Sequence, residues 1–184
     1  MKTHIIGFPK SGTCWLSYMV EYLTGGNVNG YRKEWRKDAT GDPFQKRHDF
    51  IDVEKFDRLI MPVRDPFEAI GSFMHRKKSR AEEYAPQYIE LLEQYDEHEG
   101  AKLMLSYELL TKDPSNAILM LSKFLGESEH KAVAFTEKIE FHQNSSRGLY
   151  GPDLKGKSYP RPASLYEAIK GHEMTKKYLT HYGI

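Results

Sequence analysis

The chain has 184 residues, with 27 Lys+Arg against 26 Asp+Glu and a net charge of +1, which suits a single domain able to bury its own core over residues 1–184. No global field pulls such a chain onto nucleic acid or a membrane, so any anion binding must come from local clusters. Cys14 is the only cysteine; an internal disulfide and a thiolate zinc site are excluded, and with an N-terminal apolar stretch that stops at Pro9 and Lys10, too short for a signal or a membrane span, a cytoplasmic setting is expected.

In chain order, residues 3–8 are apolar and β-branched and predict a buried parallel strand. A turn follows at 9–13. Residues 14–23 place Trp15, Leu16, Met19, Val20 and Leu23 at helical spacing, and Gly25-Gly26 stops the helix. Residues 25–50 show no sustained period and read as loop, with a short strand at 45–48. Residues 58–63 form a second strand candidate, followed by Arg64-Asp65-Pro66 and a helix over 67–75 with Pro66 at its first position. A helix over 81–98, a strand over 102–107, helices over 114–125 and 129–139, a long loop over 144–162 and a last helix over 164–181 complete the reading.

Strands alternating with helices predict an α/β fold: a three-layer domain around a central parallel sheet, of the P-loop nucleotide-binding type. Ligands of such sheets sit beyond the carboxyl ends of the strands. The turns at 9–13, 64–66 and 107–108 all follow predicted strands, so they are expected to converge on one cleft.

The segment Gly7-Phe8-Pro9-Lys10-Ser11-Gly12-Thr13 has the makings of an anion cradle: glycines let backbone N–H groups wrap a phosphate at a helix N-terminus. The spacing of Gly7 and Gly12 is that of the nucleoside-triphosphate loop, yet Thr13 stands where that motif has its lysine. An ATP-dependent kinase is therefore one alternative, and a nucleotide-binding module without catalysis is another. The eight histidines are dispersed and no His-Glu-x-x-His is present, so no metal is expected.

Phe8-Pro9-Lys10-Ser11-Gly12-Thr13-Cys14-Trp15 closely resembles the 5′-phosphosulfate motif of the sulfotransferases that use 3′-phosphoadenosine 5′-phosphosulfate (PAPS), usually Tyr-Pro-Lys-Ser-Gly-Thr-Thr-Trp. The resemblance extends along residues 3–150. Arg64, ending a strand, and Ser72, eight positions later, are similar to the family's pair for the 3′-phosphate; taken alone, an Arg-Asp-Pro turn is more often a helix start than a ligand. Ser106-Tyr107-Glu108 resembles the Tyr-Glu element whose tyrosine lines the adenine pocket. Ser146-Arg147-Gly148 resembles the Arg-Lys-Gly loop over the 3′-phosphate, and Gln45-Lys46-Arg47-His48 the Lys-Thr-His segment of the general base.

The resemblance implies a sulfotransferase with PAPS as donor. Lys10, Ser11, Gly12, Thr13, Cys14 and Trp15 would line the 5′ side, with Trp15 stacking on adenine. Arg64, Ser72, Tyr107, Arg147 and Gly148 would complete the nucleotide site. His48 would be the base, with His75 as competitor, while Lys10 stabilises the leaving phosphate and Lys46 touches the sulfate. The acceptor is expected to be a small molecule or glycan with a hydroxyl or amine, with no nucleic acid or membrane partner. One departure is Cys14, which stands where the family has its second threonine and removes one hydroxyl contact. The region between the first motif and His48 is also compressed.

Overall fold

The computed structural model describes residues 1–26, 28–29, 44–47, 56–74, 81–150 and 162–184. Among the described residues, five strands, β1 (Thr3–Ile6), β2 (Val28–Asn29), β3 (Phe44–Arg47), β4 (Arg58–Val63) and β5 (Ala101–Ser106), form one sheet in the order β2-β3-β1-β4-β5. Every pairing is parallel. β1 lies at the centre, and all four of its residues are buried, which is why it reads as an uninterrupted apolar run.

Side chains alternate across the sheet and feed two cores. Ile5 and Ile60, opposite each other in register, face one side with Leu16, Met19, Leu105, Leu121 and Phe135. Ile6, Leu59 and Met61 face the other with Phe67, Ile70, Tyr88, Leu92 and Leu165. The first core is covered by α1 (Thr13–Thr24), α4 (Tyr107–Lys112), α5 (Pro114–Leu125), α6 (Glu129–Glu137) and α7 (Ile139–Tyr150). The second is covered by α2 (Pro66–Met74), α3 (Ala85–Glu97), α8 (Ala163–Lys170) and α9 (Glu173–Tyr178). A three-layer α/β domain with a parallel sheet is therefore the observed architecture, as the alternation of elements predicted.

Three differences from the sequence reading have local causes. Residue 107 opens a helix instead of closing a strand, because the Ser106 hydroxyl accepts the Leu109 N–H at 3.1 Å and caps α4. The expected loop over 144–162 is helical as far as Tyr150; α7 is anchored by His142, which lies parallel to the Phe135 ring at 4.3 Å and accepts or donates a 3.0 Å bond with the Tyr18 hydroxyl. That packing overrides the weak helix preference of Asn144, Ser145 and Ser146. The last helix is two, broken at Gly171, with His172 Nδ1 accepting the Met174 N–H at 3.3 Å to start α9. Among the described residues, no helix is long and apolar enough to cross a membrane.

Candidate donor-nucleotide site

β1 delivers the chain to residue 7 at the carboxyl edge of the sheet. Gly7 is there because a Cβ would stand 3.1 Å from Pro62 Cδ and 3.2 Å from Thr13 Cγ2. The loop then turns back through two left-handed residues, Lys10 at φ 72° and Gly12 at φ 94°. For a lysine that conformation costs on the order of 1–3 kcal/mol, a strain of the kind held at ligand sites. The Ser11 N–H donates to Phe8 O at 3.2 Å and closes the turn. Ser11 Oγ is fully buried with no hydrogen-bond partner among the described residues, and a buried hydroxyl left unpaired costs about 1–3 kcal/mol unless a ligand supplies the partner.

Gly12 is the N-cap of α1 and has no side chain with which to cap it. The first helical bond runs from Leu16 N to Gly12 O at 3.0 Å, so the N–H groups of Thr13 and Trp15 have no intrahelical acceptor and lie at the positive end of the helix dipole. Thr13 is buried, and its carbonyl accepts the Ser17 hydroxyl at 2.8 Å. Cys14 is half-buried. The Trp15 indole donates Nε1–H to Leu110 O at 2.8 Å and stacks on Tyr18, with centroids 5.6 Å apart and rings 12° from parallel. Trp15 thus braces α1 against α4.

The second candidate group follows β4. Arg64, just past Val63, donates from Nη1 to Lys10 O at 3.1 Å, lies 3.6 Å from Glu68 Oε2, and sets its guanidinium 4.2 Å from the centre of the Tyr107 ring. The left-handed turn at Lys10 is what aims that carbonyl at Arg64. Tyr107 touches the loop as well, since a Cβ on Gly12 would meet its Cδ2 at 3.2 Å. Behind Arg64, the Tyr88 hydroxyl donates to Arg64 O and accepts Arg64 N–H at 3.4 Å. Burial pushes the Tyr88 phenol well above its ordinary range, so it stays a donor.

Asp65 starts α2, its Oδ1 accepting the Phe67 N–H at 2.8 Å; Ser72 lies buried two turns along that helix. Arg147 is on α7, donating to Asn144 Oδ1 at 3.3 Å, and Gly148 follows in the same helix instead of the expected loop. α7 packs on α1 through His142, which contacts Tyr22 and Tyr18 and shares a 3.0 Å hydrogen bond with the Tyr18 hydroxyl. Lys46 pairs with Ile5 and Arg47 with Ile6, so β3 ends at the same edge of the sheet where the loop begins. His48 and His75 lie outside the described residues.

Tyr88 and Tyr182 were missed as part of this site. Neither carries a local motif; Tyr88 is on the apolar face of α3, and Tyr182 reaches the site only through the fold. Among the described residues, no group of His, Cys, Asp and Glu is placed to hold a metal ion.

No family model matches the chain, and no curated protein matches it by sequence. Solved structures do. Mouse sulfotransferase SULT7A1 complexed with PAP superimposes with a TM-score of 0.57 at 14% identity, covering 99% of this chain and 79% of that one. Retinol dehydratase in complex with androsterone and the inactive cofactor PAP superimposes with a TM-score of 0.54 at 15% identity, covering 96% and 78%. The edge of the sheet that carries the loop at 9–13 and Arg64 therefore belongs to a chain with the fold of the PAPS-dependent sulfotransferases.

Proposed function

We propose that the chain is a sulfotransferase that takes the sulfuryl group of PAPS and delivers it to a hydroxyl or amine of a small molecule or glycan. The observation that carries this reading is the hydrogen bond from Arg64 to Lys10 O at 3.1 Å, which ties a loop suited to an anion at a helix start to a second, cationic group. A nucleotide with phosphates on both its 3′ and 5′ oxygens needs two such groups side by side; AMP needs one. The unpaired, buried Ser11 Oγ and the uncapped first turn of α1 fit an anionic ligand. Ser11, Gly12, Thr13 and Cys14 would hold the 5′-phosphosulfate, Arg64, Ser72, Arg147 and Gly148 the 3′-phosphate, and Tyr107 and Trp15 would flank the adenine.

In the reaction, the acceptor oxygen or nitrogen forms its bond to sulfur as the bond from sulfur to the 5′-phosphate oxygen breaks. His48 takes the acceptor's proton, being a group that titrates near neutrality. Lys10 meets the charge that grows on the departing phosphate, and Lys46 holds the sulfuryl oxygens. A sulfuryl group has less charge to neutralise than a phosphoryl group, so lysines serve where a kinase uses magnesium. With a thiol at Cys14, the backbone N–H groups and Thr13 carry the contact that a second threonine would share.

Calorimetry tests the binding half: 3′-phosphoadenosine 5′-phosphate should bind far more tightly than AMP or ATP. Equal affinity for AMP overturns the assignment, and a preference for ATP with magnesium supports the kinase alternative. A screen with labelled PAPS against phenol, sugar, lipid and peptide acceptors tests the chemistry. In that assay His48→Ala should lower turnover by about 10²–10⁴-fold with nucleotide affinity intact, whereas Lys10→Ala should lower both.

A further inference from the structure

Behind Arg64, three segments far apart in the sequence meet through one hydroxyl. Tyr182, in the short 3-10 turn Thr180–Tyr182, donates to Glu108 Oε2 at 2.8 Å and stands 3.3 Å from Val63 O. Val63 is the last residue of β4 and precedes Arg64; Glu108 is in the first turn of α4 and follows Tyr107. The peptide entering Arg64 is thus clamped between two phenols, Tyr182 at Val63 O and Tyr88 accepting the Arg64 N–H, while Tyr88 also donates to Arg64 O on the peptide that leaves. Neither phenol touches the loop at 9–13 in any of these bonds.

We infer that Tyr182 and Glu108 are a positioning pair for the donor site, fixing the backbone before Arg64 and the first turn of α4 so that the guanidinium is aimed to read a 3′-phosphate. This rests on the donor reading above. The chain of contacts is short. Glu108 holds α4 by its first turn, and its neighbour Tyr107 covers the Arg64 guanidinium at 4.2 Å while touching Gly12. A guanidinium binds a phosphate through a planar fork, so a small rotation of the ring beneath it misaligns both N–H donors at once. A 5′-phosphate, held by the N–H groups of α1, does not depend on that plane. Burial, and then the bond to Glu108, push the Tyr182 phenol far above its ordinary range, and the hydroxyl therefore remains a donor at any pH the protein meets.

The test is calorimetry with 3′-phosphoadenosine 5′-phosphate and with AMP on the intact protein, Tyr182→Phe, Glu108→Gln and Glu108→Ala, with melting temperatures recorded alongside. Tyr182→Phe keeps the ring and removes one hydrogen bond to a carboxylate, so affinity for the 3′-phosphorylated nucleotide should fall roughly tenfold while affinity for AMP stays within about twofold. Glu108→Ala should match it. Glu108→Gln, whose amide oxygen accepts the same bond, should recover most of the loss. An equal loss for both nucleotides, no loss, or a Gln variant as impaired as the Ala variant each overturns the pair's role. If the intact protein itself binds AMP as tightly as the 3′-phosphorylated nucleotide, the donor reading fails and this inference falls with it. If the intact protein discriminates and Tyr182→Phe discriminates equally well, the inference alone is refuted.

Discussion

Helices α1, α2 and α4 all leave the same edge of the sheet, one after each of β1, β4 and β5, yet they begin differently. α2 is capped by Asp65 Oδ1, which accepts the Phe67 N–H at 2.8 Å, and α4 by the Ser106 hydroxyl, which accepts the Leu109 N–H at 3.1 Å. α1 begins at Gly12 with no side-chain cap, beside a buried Ser11 hydroxyl that has no partner among the described residues. Two of the three helix starts are completed by their own sequence and serve as supports. The third leaves its first turn without a side-chain cap, and under the proposed function those donors serve an anion, so that one sheet edge divides the work of holding and of being held.

The strongest test of that division removes the cation supplied by the supporting side. Arg64→Ala should cost about 1.5–3 kcal/mol of affinity for 3′-phosphoadenosine 5′-phosphate, the range for a charged hydrogen bond, with little effect on AMP. Giving α1 the cap that α4 has is the next. Gly12→Ser would place a Cβ 3.2 Å from Tyr107 and Leu110 at φ 94°, and should weaken binding of both nucleotides by about 10–100-fold through a strain of order 1–3 kcal/mol. Unchanged affinity in the serine variant would show that the uncapped turn does not face the ligand.

Removing a cap from a support should act on stability instead. Ser106→Ala is expected to cost about 1 kcal/mol by denaturant titration, with a smaller change in nucleotide affinity than either substitution above. The smallest effect concerns α7, which packs on α1 through His142. Burial first, and then the charge of Lys138, hold His142 below its ordinary value. Neutral His142 therefore contributes stability that is fully present above the ordinary histidine range and is lost as pH falls through its lower folded value. Melting temperatures of the protein and of His142→Leu should converge on acidification; a constant gap between them argues against titration at this position.

How much of this was legible in the sequence depended on the range of the interaction. The strand at 58–63 and the helix at 114–125 were read to the residue, because their apolar pattern, Pro66, Pro114 and Gly126 are local signals. The loop at 9–13 was legible for the same reason: its glycines and the turn of the chain are neighbours in sequence. The helix over 139–150 was not, since Asn144, Ser145 and Ser146 favour a loop locally and are overruled by the rings of Phe135 and Tyr18 around His142. The partner of the Trp15 N–H was not legible either, because the Leu110 carbonyl that accepts it belongs to another element.

By itself, then, the sequence determined the alternation of elements, the glycine-bearing loop ahead of α1 and the positions of Arg64 just past β4 and of Ser72 on α2. These follow from backbone propensity, turn chemistry and periodicity, each settled within about a dozen residues. Only the tertiary structure decided that the Lys10 carbonyl, turned left-handed, would meet Arg64, that Tyr107 would lie under that guanidinium, and that Tyr88 and Tyr182 would clamp the peptide before it. Those contacts join residues 24 to 119 positions apart. They form because packing on both faces of the sheet brings their elements together, and no local pattern of residues encodes which carbonyl a distant hydroxyl will reach.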